Sequence, residues 1–212
     1  MNTLCPTAAQ LDVYRSQLEK FVEFNDKEWP VFCEQLYVRQ IKKKRLFVSS
    51  FKVCNEVGFI LSGSVRFYFI KDGVEISNYF CFEHEMIASY SSFLQRQVSR
   101  TNIEAIEDTT VICFSYKGLQ QMLADERVAY KMERFGRLVA EYLICCYEER
   151  VLSFITKNPE ERYQELLQSQ PVFMERIPQH YLADYLGVTP VSLSRIRKRI
   201  STQLGKLKKL RA

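Results

Sequence analysis

The stretch IPQHYLADYLGVTPVSLSRIRKRI, residues 177–200, predicts two short helices joined by a tight turn. Gly187 supplies the turn, while Thr189 and Pro190 suit the N-cap and the first position of the second helix. The apolar positions of the two predicted helices are Tyr181, Leu182, Leu186, Leu193, Ile196 and Ile200. An amphipathic pair of this kind, with a polar outer side on the second helix, is typical of a helix-turn-helix.

Positive charge is concentrated around this motif. Residues 171–212 carry nine lysines and arginines against two acids, a net charge of +7, and no acid follows Pro190. Because the whole chain carries +5, its first 170 residues carry −2. One basic end on a mildly acidic body indicates a polyanionic partner, and we expect nucleic acid before a membrane surface.

The predicted partner is double-stranded DNA, with different roles for different side chains. Arg195 suits base reading, because its planar guanidinium can donate to O6 and N7 of guanine together. Ser192 and Thr189 suit hydrogen bonds to phosphates or base edges. The other cations suit the DNA backbone, which positions a protein without specifying sequence. The predicted DNA-binding residues are Gln179, His180, Thr189, Ser192, Ser194, Arg195, Arg197, Lys198 and Arg199.

Residues 37–115 predict a β-sheet domain that precedes the motif. Short β-branched and aromatic runs alternate there with turn residues, and Asp72-Gly73 is the strongest hairpin signal. Many short strands at this spacing indicate a jelly roll or a small barrel, so the fold class is α+β. We also predict a helix over 8–36 and a short helix within 87–96.

Residues 125–156 predict one helix, roughly 45–50 Å long at 1.5 Å per residue. Apolar residues recur along it at spacings of four and three, which is typical of a helix that pairs with a twin in a parallel dimer. A helix buried in the core of its own domain is the alternative. The predicted dimer seam is Val128, Met132, Phe135, Val139, Tyr142 and Cys146. Asn158-Pro159 ends this helix, and another follows it over 159–169.

Several classes of protein are disfavoured by what the sequence lacks. It has two histidines and none of the common phosphate-loop, dinucleotide-binding or serine-hydrolase motifs, so we expect no enzyme, no metal and no cofactor. Seven cysteines form an odd set, which favours reduced thiols. No apolar run reaches the length of a membrane span, and the start has no signal-peptide pattern, so we expect a cytoplasmic protein.

The chain resembles the Crp/Fnr family of bacterial transcription regulators, named after the cyclic-AMP receptor protein and the fumarate-nitrate regulator. The closest matches are FSYKGLQQML at 114–123 and VTPVSLSRIRK at 188–198, and the second is similar to the branch common in Bacteroidetes. The resemblance implies a homodimer on a palindromic operator. Arg195 falls on the family's guanine-reading arginine, whereas Val191 falls where many members have a base-contacting glutamate.

The resemblance also implies that the chain is divided into three parts. These are a β-roll sensor of the cyclic-nucleotide-binding type with its N-terminal helix over 1–124, a dimerisation helix over 125–156, and a helix-turn-helix domain over 157–212. In this family an effector bound in the β-roll repositions the DNA-reading helices. RNA polymerase is a further partner that the resemblance implies.

The implied effector residues depart from the cyclic-AMP pattern. Members that bind cyclic AMP carry Gly-Glu-Leu followed by Arg-Ser-Ala, where this chain has Ala88-Ser89-Tyr90 and Ser99-Arg100-Thr101. Ser89 replaces the ribose-binding glutamate, and the arginine is displaced by one position, which in a strand turns it to the opposite face. The candidate effector residues are Ser89, Ser99, Arg100 and Thr101.

The function predicted from these features is that of a dimeric, sequence-specific DNA-binding transcription regulator that does not respond to cyclic AMP. The alternative is a β-roll that senses an unidentified small molecule, with DNA binding as its output.

Overall fold

The chain folds into two N-terminal helices, an eight-stranded β region and a helical C-terminal half. The computed structural model describes residues 3–171 and 175–210, with side chains up to Thr202. The strands are β1 Leu36–Ile41, β2 Leu46–Val48, β3 Glu56–Ser62, β4 Val65–Lys71, β5 Val74–Cys81, β6 Met86–Ile87, β7 Asn102–Ala105 and β8 Thr109–Ser115. The helices are α1 Ala8–Leu18, α2 Glu28–Cys33, α3 Tyr90–Gln95, α4 Tyr116–Ala124, α5 Ala129–Thr156, α6 Pro159–Ser169, α7 Gln179–Leu186 and α8 Pro190–Leu210.

The strands form two four-stranded sheets, with the orders β1-β8-β3-β6 and β2-β7-β4-β5. Strand β8 pairs antiparallel with both β1 and β3, so that Cys113 lies opposite Tyr37 on one side and Gly58 on the other. Ile60, Val111 and Ile103 are fully buried in the apolar core of this domain. Of the two architectures that the many short strands predict, the jelly roll is confirmed, and it agrees with the β-roll that the resemblance implies.

The turn between β4 and β5 has the geometry that its sequence predicts. Asp72 and Gly73 are the two residues between the strands, and their φ angles are +53° and +77°. Positive φ at both central residues matches the right-handed twist of the flanking strands. The hairpin prediction at Asp72-Gly73 is therefore confirmed.

The single helix predicted over 8–36 is wrong, because two shorter helices stand in its place. Thr7 opens α1 with a capping box completed by Gln10, and α1 ends at Leu18. The Asn25 side chain accepts hydrogen bonds from the backbone N–H groups of Lys27 and Glu28, at 2.9 and 3.1 Å. An asparagine that captures nearby N–H groups offers the backbone an alternative to continuing a helix.

The long helix α5 starts four residues later than predicted and ends where predicted. The carbonyl of Asp125 accepts from the N–H groups of Val128 and Ala129, which forms a turn before the helix. At the other end, Asn158 caps α6 with a capping box to Glu161, and Pro159 takes the first helical position. The short helix predicted within 87–96 is present as α3.

The chain divides into two compact units. Residues 1–69 and 79–144 form the first, and residues 70–78 and 145–212 form the second, so that α5 contributes to both. Within the described ranges, no helix combines the length and the apolarity needed to cross a membrane.

Helices α7 and α8 of the second unit form the helix-turn-helix that the sequence predicts. Gly187 has a φ of +70°, and the N–H of Val188 donates to the Ala183 carbonyl, which ends α7 in a left-handed turn. Side chains from α6, α7 and α8 form the buried core beneath this turn. They are Tyr163, Leu166, Leu182, Ala183, Leu186, Leu193, Ile196 and Ile200.

Candidate nucleic-acid interface and effector site

The start of α8 is fixed by a local cap. Thr189 Oγ1 accepts from the Ser192 N–H at 3.2 Å and donates to Ser192 Oγ at 3.0 Å. The Thr189 carbonyl accepts the first helical bond, from the Leu193 N–H. Thr189 therefore acts as the N-cap that the sequence predicts. Its hydroxyl and that of Ser192 bind one another at the tip of the helix.

The outward face of α8 is set by its buried residues. Leu193 is fully buried, and Ile196 and Ile200 are each 5% exposed. With 3.6 residues per turn, Arg195 and Lys198 lie on the opposite side, and both are exposed. This face also carries Val191 in the first turn and Thr202 further along, and Ser194 lies exposed at its edge.

The four cations at positions 195–199 of α8 differ in what they contact. Arg199 forms an ion pair with Glu160 of α6 at 2.5 Å. Arg197 is half-buried and hydrogen-bonded to Tyr163. Burial raises the pKa of Tyr163, and the charge and hydrogen bond of Arg197 offset part of this rise. Arg195 and Lys198 have no ion pair with any side chain in the described part of the chain. The cations most available to a ligand are thus Arg195 and Lys198.

Two predicted residues lie outside α8. Gln179 and His180 are exposed in the first turn of α7, which follows Pro178. The imidazole of His180 contacts the neighbouring Tyr181 ring at a centroid distance of 4.0 Å, with the two ring planes tilted by 52°. Both side chains thus face solvent at the start of the first motif helix.

Two arginines that the sequence reasoning missed bind the last carbonyls of α7. Arg150 of α5 donates to the Tyr185 carbonyl at 3.1 Å, and its guanidinium lies 3.9 Å from the centre of the Tyr185 ring. Arg162 of α6 donates to the Leu186 carbonyl at 2.9 Å. Cations are favoured at a helix C-terminus, so the pair stabilises the turn that orients α8.

Side chains of α5 and α6 pack closely around the C-terminal end of α7. Burial, and then the neighbouring charge of Arg150, lower the pKa of Arg162. A Cβ at Gly187 would lie 3.2 Å from the Phe154 ring, so glycine serves both close packing and the positive φ. These contacts could not be predicted from the spacing of residues in the sequence, because Arg162 and Leu186 are 24 positions apart.

In the β-roll, three of the four candidate effector residues come together. Ser99 Oγ lies 2.8 Å from Ser89 Oγ and accepts from the Thr101 N–H at 3.1 Å. The Thr101 hydroxyl donates to the Tyr68 carbonyl at 3.2 Å. Ser89 and Ser99 are 6% and 3% exposed, so their two hydroxyls are buried and hydrogen-bonded to each other. The fourth residue, Arg100, points to solvent.

A buried cation of the β-roll also has a partner within the same domain. Arg66 on β4 is 2% exposed and forms a 2.9 Å ion pair with Glu104. The two residues face each other across the β4–β7 pair, and the guanidinium lies 4.1 Å from the centre of the Tyr68 ring. A buried charge is tolerated when it is paired in this way.

Half of the predicted dimer seam is already buried within a single chain. Val128, Met132 and Phe135 are 1%, 2% and 4% exposed within a single chain and belong to the core of the first unit. Val139 packs on the same core, and Tyr142 contacts the Phe21 ring edge-on at 6.5 Å. Val128, Met132, Phe135 and Val139 of the predicted seam therefore face the core of their own chain, whereas Tyr142 is 56% exposed and Cys146 is half-buried. Packing on the chain itself therefore accounts for the first part of the 3.5-residue repeat.

The opposite face of α5 is apolar and exposed. Ile144, Tyr147, Val151 and Ile155 are 59%, 62%, 57% and 77% exposed, at spacings of three, four and four. Side chains at these spacings lie on one side of a helix. We call these four residues the exposed stripe of α5.

The cysteines are unpaired and differ in accessibility. Cys54, Cys81 and Cys113 are buried, whereas Cys5 and Cys145 are exposed. Burial raises the pKa of the Cys81 and Cys113 thiols well above the usual value. Among the described residues, no three or more His, Cys, Asp or Glu side chains form a group that could hold a metal ion.

Comparisons with known proteins agree with this architecture. The family model of the cyclic nucleotide-binding domain matches residues 38–126. No curated protein matches the sequence significantly. Residues 38–126 therefore form a cyclic nucleotide-binding domain.

Solved structures extend the likeness over the length of the chain. FixK2 from Bradyrhizobium japonicum is 20% identical with a TM-score of 0.62, over 79% of this chain and 85% of that one. A protein of Eubacterium rectale assigned to the Crp/Fnr family of transcriptional regulators is 18% identical with a TM-score of 0.60, over 85% of each chain. The c-di-GMP responsive global regulator CLP of Xanthomonas campestris is 14% identical with a TM-score of 0.64, over 82% of this chain and 90% of that one. The chain has the fold of Crp/Fnr-family regulators.

Proposed function

We propose that this protein is a dimeric, sequence-specific DNA-binding transcription regulator, with α8 as its DNA-reading helix. The observation that carries the proposal is the outward face of α8, where Arg195 and Lys198 stand exposed on a helix that lacks any acidic residue. A helix-turn-helix presents this face to the major groove. The likeness to regulators rather than enzymes agrees with a role in binding and not in catalysis.

Arg195 and Lys198 are proposed to have different tasks on DNA. Arg195 lies four residues beyond Val191, in the part of the helix that enters the groove, and its fork suits the two acceptors of guanine. Lys198 lies almost one turn further and suits a phosphate. Ser192, Ser194, Gln179 and His180 supply additional hydrogen-bond donors near the groove or the backbone.

The second copy of the chain is proposed to bind along the exposed stripe of α5. Met132, Phe135 and Val139 are already packed on the core of their own chain, whereas all four residues of the exposed stripe are more than half exposed. Two helices that meet along spacings of three and four form a coiled-coil-like interface. A two-fold dimer would place two copies of α8 on a palindromic operator. The family resemblance adds a location in the cytoplasm and RNA polymerase as a further proposed partner.

The β-roll is proposed not to respond to cyclic AMP. The anionic cyclic phosphate needs a cation in the site, but Arg100 points to solvent. The hydroxyls of Ser89 and Ser99 bind each other, and the Thr101 hydroxyl donates to the Tyr68 carbonyl. A different small molecule sensed by the β-roll is the alternative. The regulator CLP, which has the same fold, is c-di-GMP responsive, so effectors differ among proteins of this fold.

A salt titration on duplex DNA tests the proposal. The logarithm of the affinity should fall linearly with the logarithm of the salt concentration, at a slope of about −0.9 for each phosphate contacted. In vitro selection with the full chain should enrich a palindromic sequence. An affinity that does not change with salt, together with no enriched sequence, would remove DNA binding from the protein's functions.

A further inference from the structure

Val191 is an apolar side chain exposed in the middle of a polar, cationic surface. It is the second residue of α8 and is 62% exposed, although Thr189 and Pro190 hold its backbone in a fixed helical start. It lies four residues before Arg195, so the two side chains are neighbours on the outward face. In a helix-turn-helix, the N-terminal residues of the second helix are the ones that meet base edges.

We propose that Val191 reads a thymine through its C5 methyl group, beside the base pair that Arg195 reads. This inference rests on the proposed function, because it assigns a base preference to the same DNA-reading helix. Thymine is the one DNA base that presents a methyl group in the major groove. The occupant of this apolar spot is therefore the methyl group of a thymine in the operator.

The chemistry of valine favours thymine over the other bases. A valine side chain has no donor or acceptor, so when it covers a polar base edge it removes water from that edge and gives no hydrogen bond in return. Against the thymine methyl it buries apolar surface on both sides. Its β-branched side chain also has few rotamers in a helix, so it loses little freedom on contact.

The spacing of Val191 and Arg195 defines where the thymine should lie. Four residues of helix rise about 6 Å, and successive base pairs of DNA are separated by about 3.4 Å. The two contacted base pairs are therefore neighbours or are separated by one pair. We expect a thymine at this distance from the guanine in each half of the operator.

The test starts from the operator that in vitro selection with the full chain provides. Each thymine is replaced in turn by deoxyuridine, which removes the methyl group and leaves every hydrogen-bonding atom in place. Binding of the wild-type protein should weaken about threefold to fourfold at one position in each half-site, the effect of one buried methyl group. The Val191→Ser variant should bind the thymine and deoxyuridine operators equally.

A matched control makes the same change at an exposed valine elsewhere. Val98 lies in the β-roll and is 58% exposed, so Val98→Ser should keep the full preference for thymine. Val191→Glu provides a gain-of-function arm, because a carboxylate accepts from the amino group of cytosine. Selection with Val191→Glu should therefore replace the thymine by cytosine and leave the guanine unchanged.

The possible outcomes separate this inference from the proposed function. If the protein selects an operator but Val191→Ser keeps the sensitivity to deoxyuridine, the thymine contact is assigned to the wrong residue. An operator without a thymine within two base pairs of the guanine would also overturn it. If no duplex is selected and binding does not depend on salt, the proposed function itself fails, and the thymine contact fails with it.

Discussion

The β-roll and the helix-turn-helix use the same kinds of side chain in opposite ways. In the β-roll, Arg66 is buried against Glu104, and the hydroxyls of Ser89 and Ser99 bind one another. On the outward face of α8, Arg195 stands exposed. A charge that is buried must have its partner inside the protein, whereas an exposed charge can exchange water for a ligand. The exposed groups of α8 are therefore better candidates for binding a ligand than the buried groups of the β-roll.

The long helix α5 shows the same contrast for apolar side chains. Its first half buries Met132 and Phe135 in the core of its own chain, and its second half presents Val151 and Ile155 to solvent. The apolar content of the two halves is similar, but the exposed stripe lies on the opposite side from the buried face. The following experiments test these contrasts, from the largest expected effect to the smallest.

The largest effect should come from charge placed on the inner face of α5. Phe135→Lys should unfold the β-roll, because truncating a buried phenylalanine already costs about 3–5 kcal/mol and a buried, unpaired ammonium costs more. Val151→Lys with Ile155→Lys should leave the near-ultraviolet circular dichroism of the β-roll unchanged and produce monomers. Sedimentation velocity and thermal unfolding measure the two outcomes.

The control for this experiment is Tyr130→Lys, since Tyr130 is 72% exposed on α5 but lies outside the exposed stripe. It should change neither the fold nor the association state. A wild-type protein that sediments as a monomer at micromolar concentration would contradict the dimer proposal. A folded Phe135→Lys variant with wild-type thermal stability would contradict the burial of the inner face.

The second comparison is between the two exposed cations of α8. Arg195→Ala should cost about 1–3 kcal/mol of binding free energy and relax the preference at one base pair in each half-site. Lys198→Ala should weaken binding to all sequences alike and reduce the salt slope by about one unit per subunit. Fluorescence anisotropy on a series of base-substituted operators measures both effects.

Arg199→Ala is the matched control for these two variants, because Arg199 already forms an ion pair with Glu160. It should change the affinity less than Lys198→Ala does. If Arg195→Ala lowers the affinity uniformly and keeps the base preference, another residue reads the guanine.

Cyclic AMP should not bind the β-roll with micromolar affinity. A charge-assisted hydrogen bond is worth about 1.5–3 kcal/mol, so the missing partner for the phosphate costs roughly ten- to a hundredfold in affinity. Isothermal titration calorimetry on the full chain should give no heat of binding in this range. A micromolar dissociation constant would mean that the domain binds the phosphate through residues other than Ser89, Ser99 and Thr101.

The smallest effect concerns a half-buried carboxyl group in the β-roll. Burial, and then the charge of Glu83, raise the pKa of Glu85, while its hydrogen bond from the Phe82 N–H lowers it. The pKa of this carboxyl group is higher in the folded state than in the unfolded state. Its ionisation therefore destabilises the fold as the pH rises from the unfolded-state pKa through the folded-state pKa. Below the unfolded-state pKa both states are protonated, and the destabilisation is absent.

Glu85→Gln should therefore raise the free energy of unfolding at pH 7 relative to the wild type, with a smaller difference or none at pH 3.5. Urea denaturation at the two pH values measures this. Glu126→Gln, at an exposed position, is the control for the change in net charge. An equal gain at both pH values would show that ionisation of Glu85 is not the cause.

Local signals in the sequence predicted the local structures. The Asp72-Gly73 hairpin, the Thr189 cap, the Gly187 turn and the end of α5 before Asn158 are all present. Each depends on backbone chemistry within a few residues, so one sequence contains the whole cause. The helix predicted over 8–36 failed because apolar periodicity continued through Asn25, whose side chain binds the backbone N–H groups of the following turn.

The sequence by itself determined most of the elements of this protein, the basic end of the chain and the residues that a DNA-reading helix would need. Only the tertiary structure decided which side of α5 is covered, because periodicity identifies an apolar face but not what packs against it. The same holds for the cations of α8. Arg199 and Arg195 look alike in sequence, but Glu160, 39 positions earlier, pairs with one and not with the other. The availability of a side chain depends on neighbours that are distant in sequence, and these are fixed only when the chain has folded.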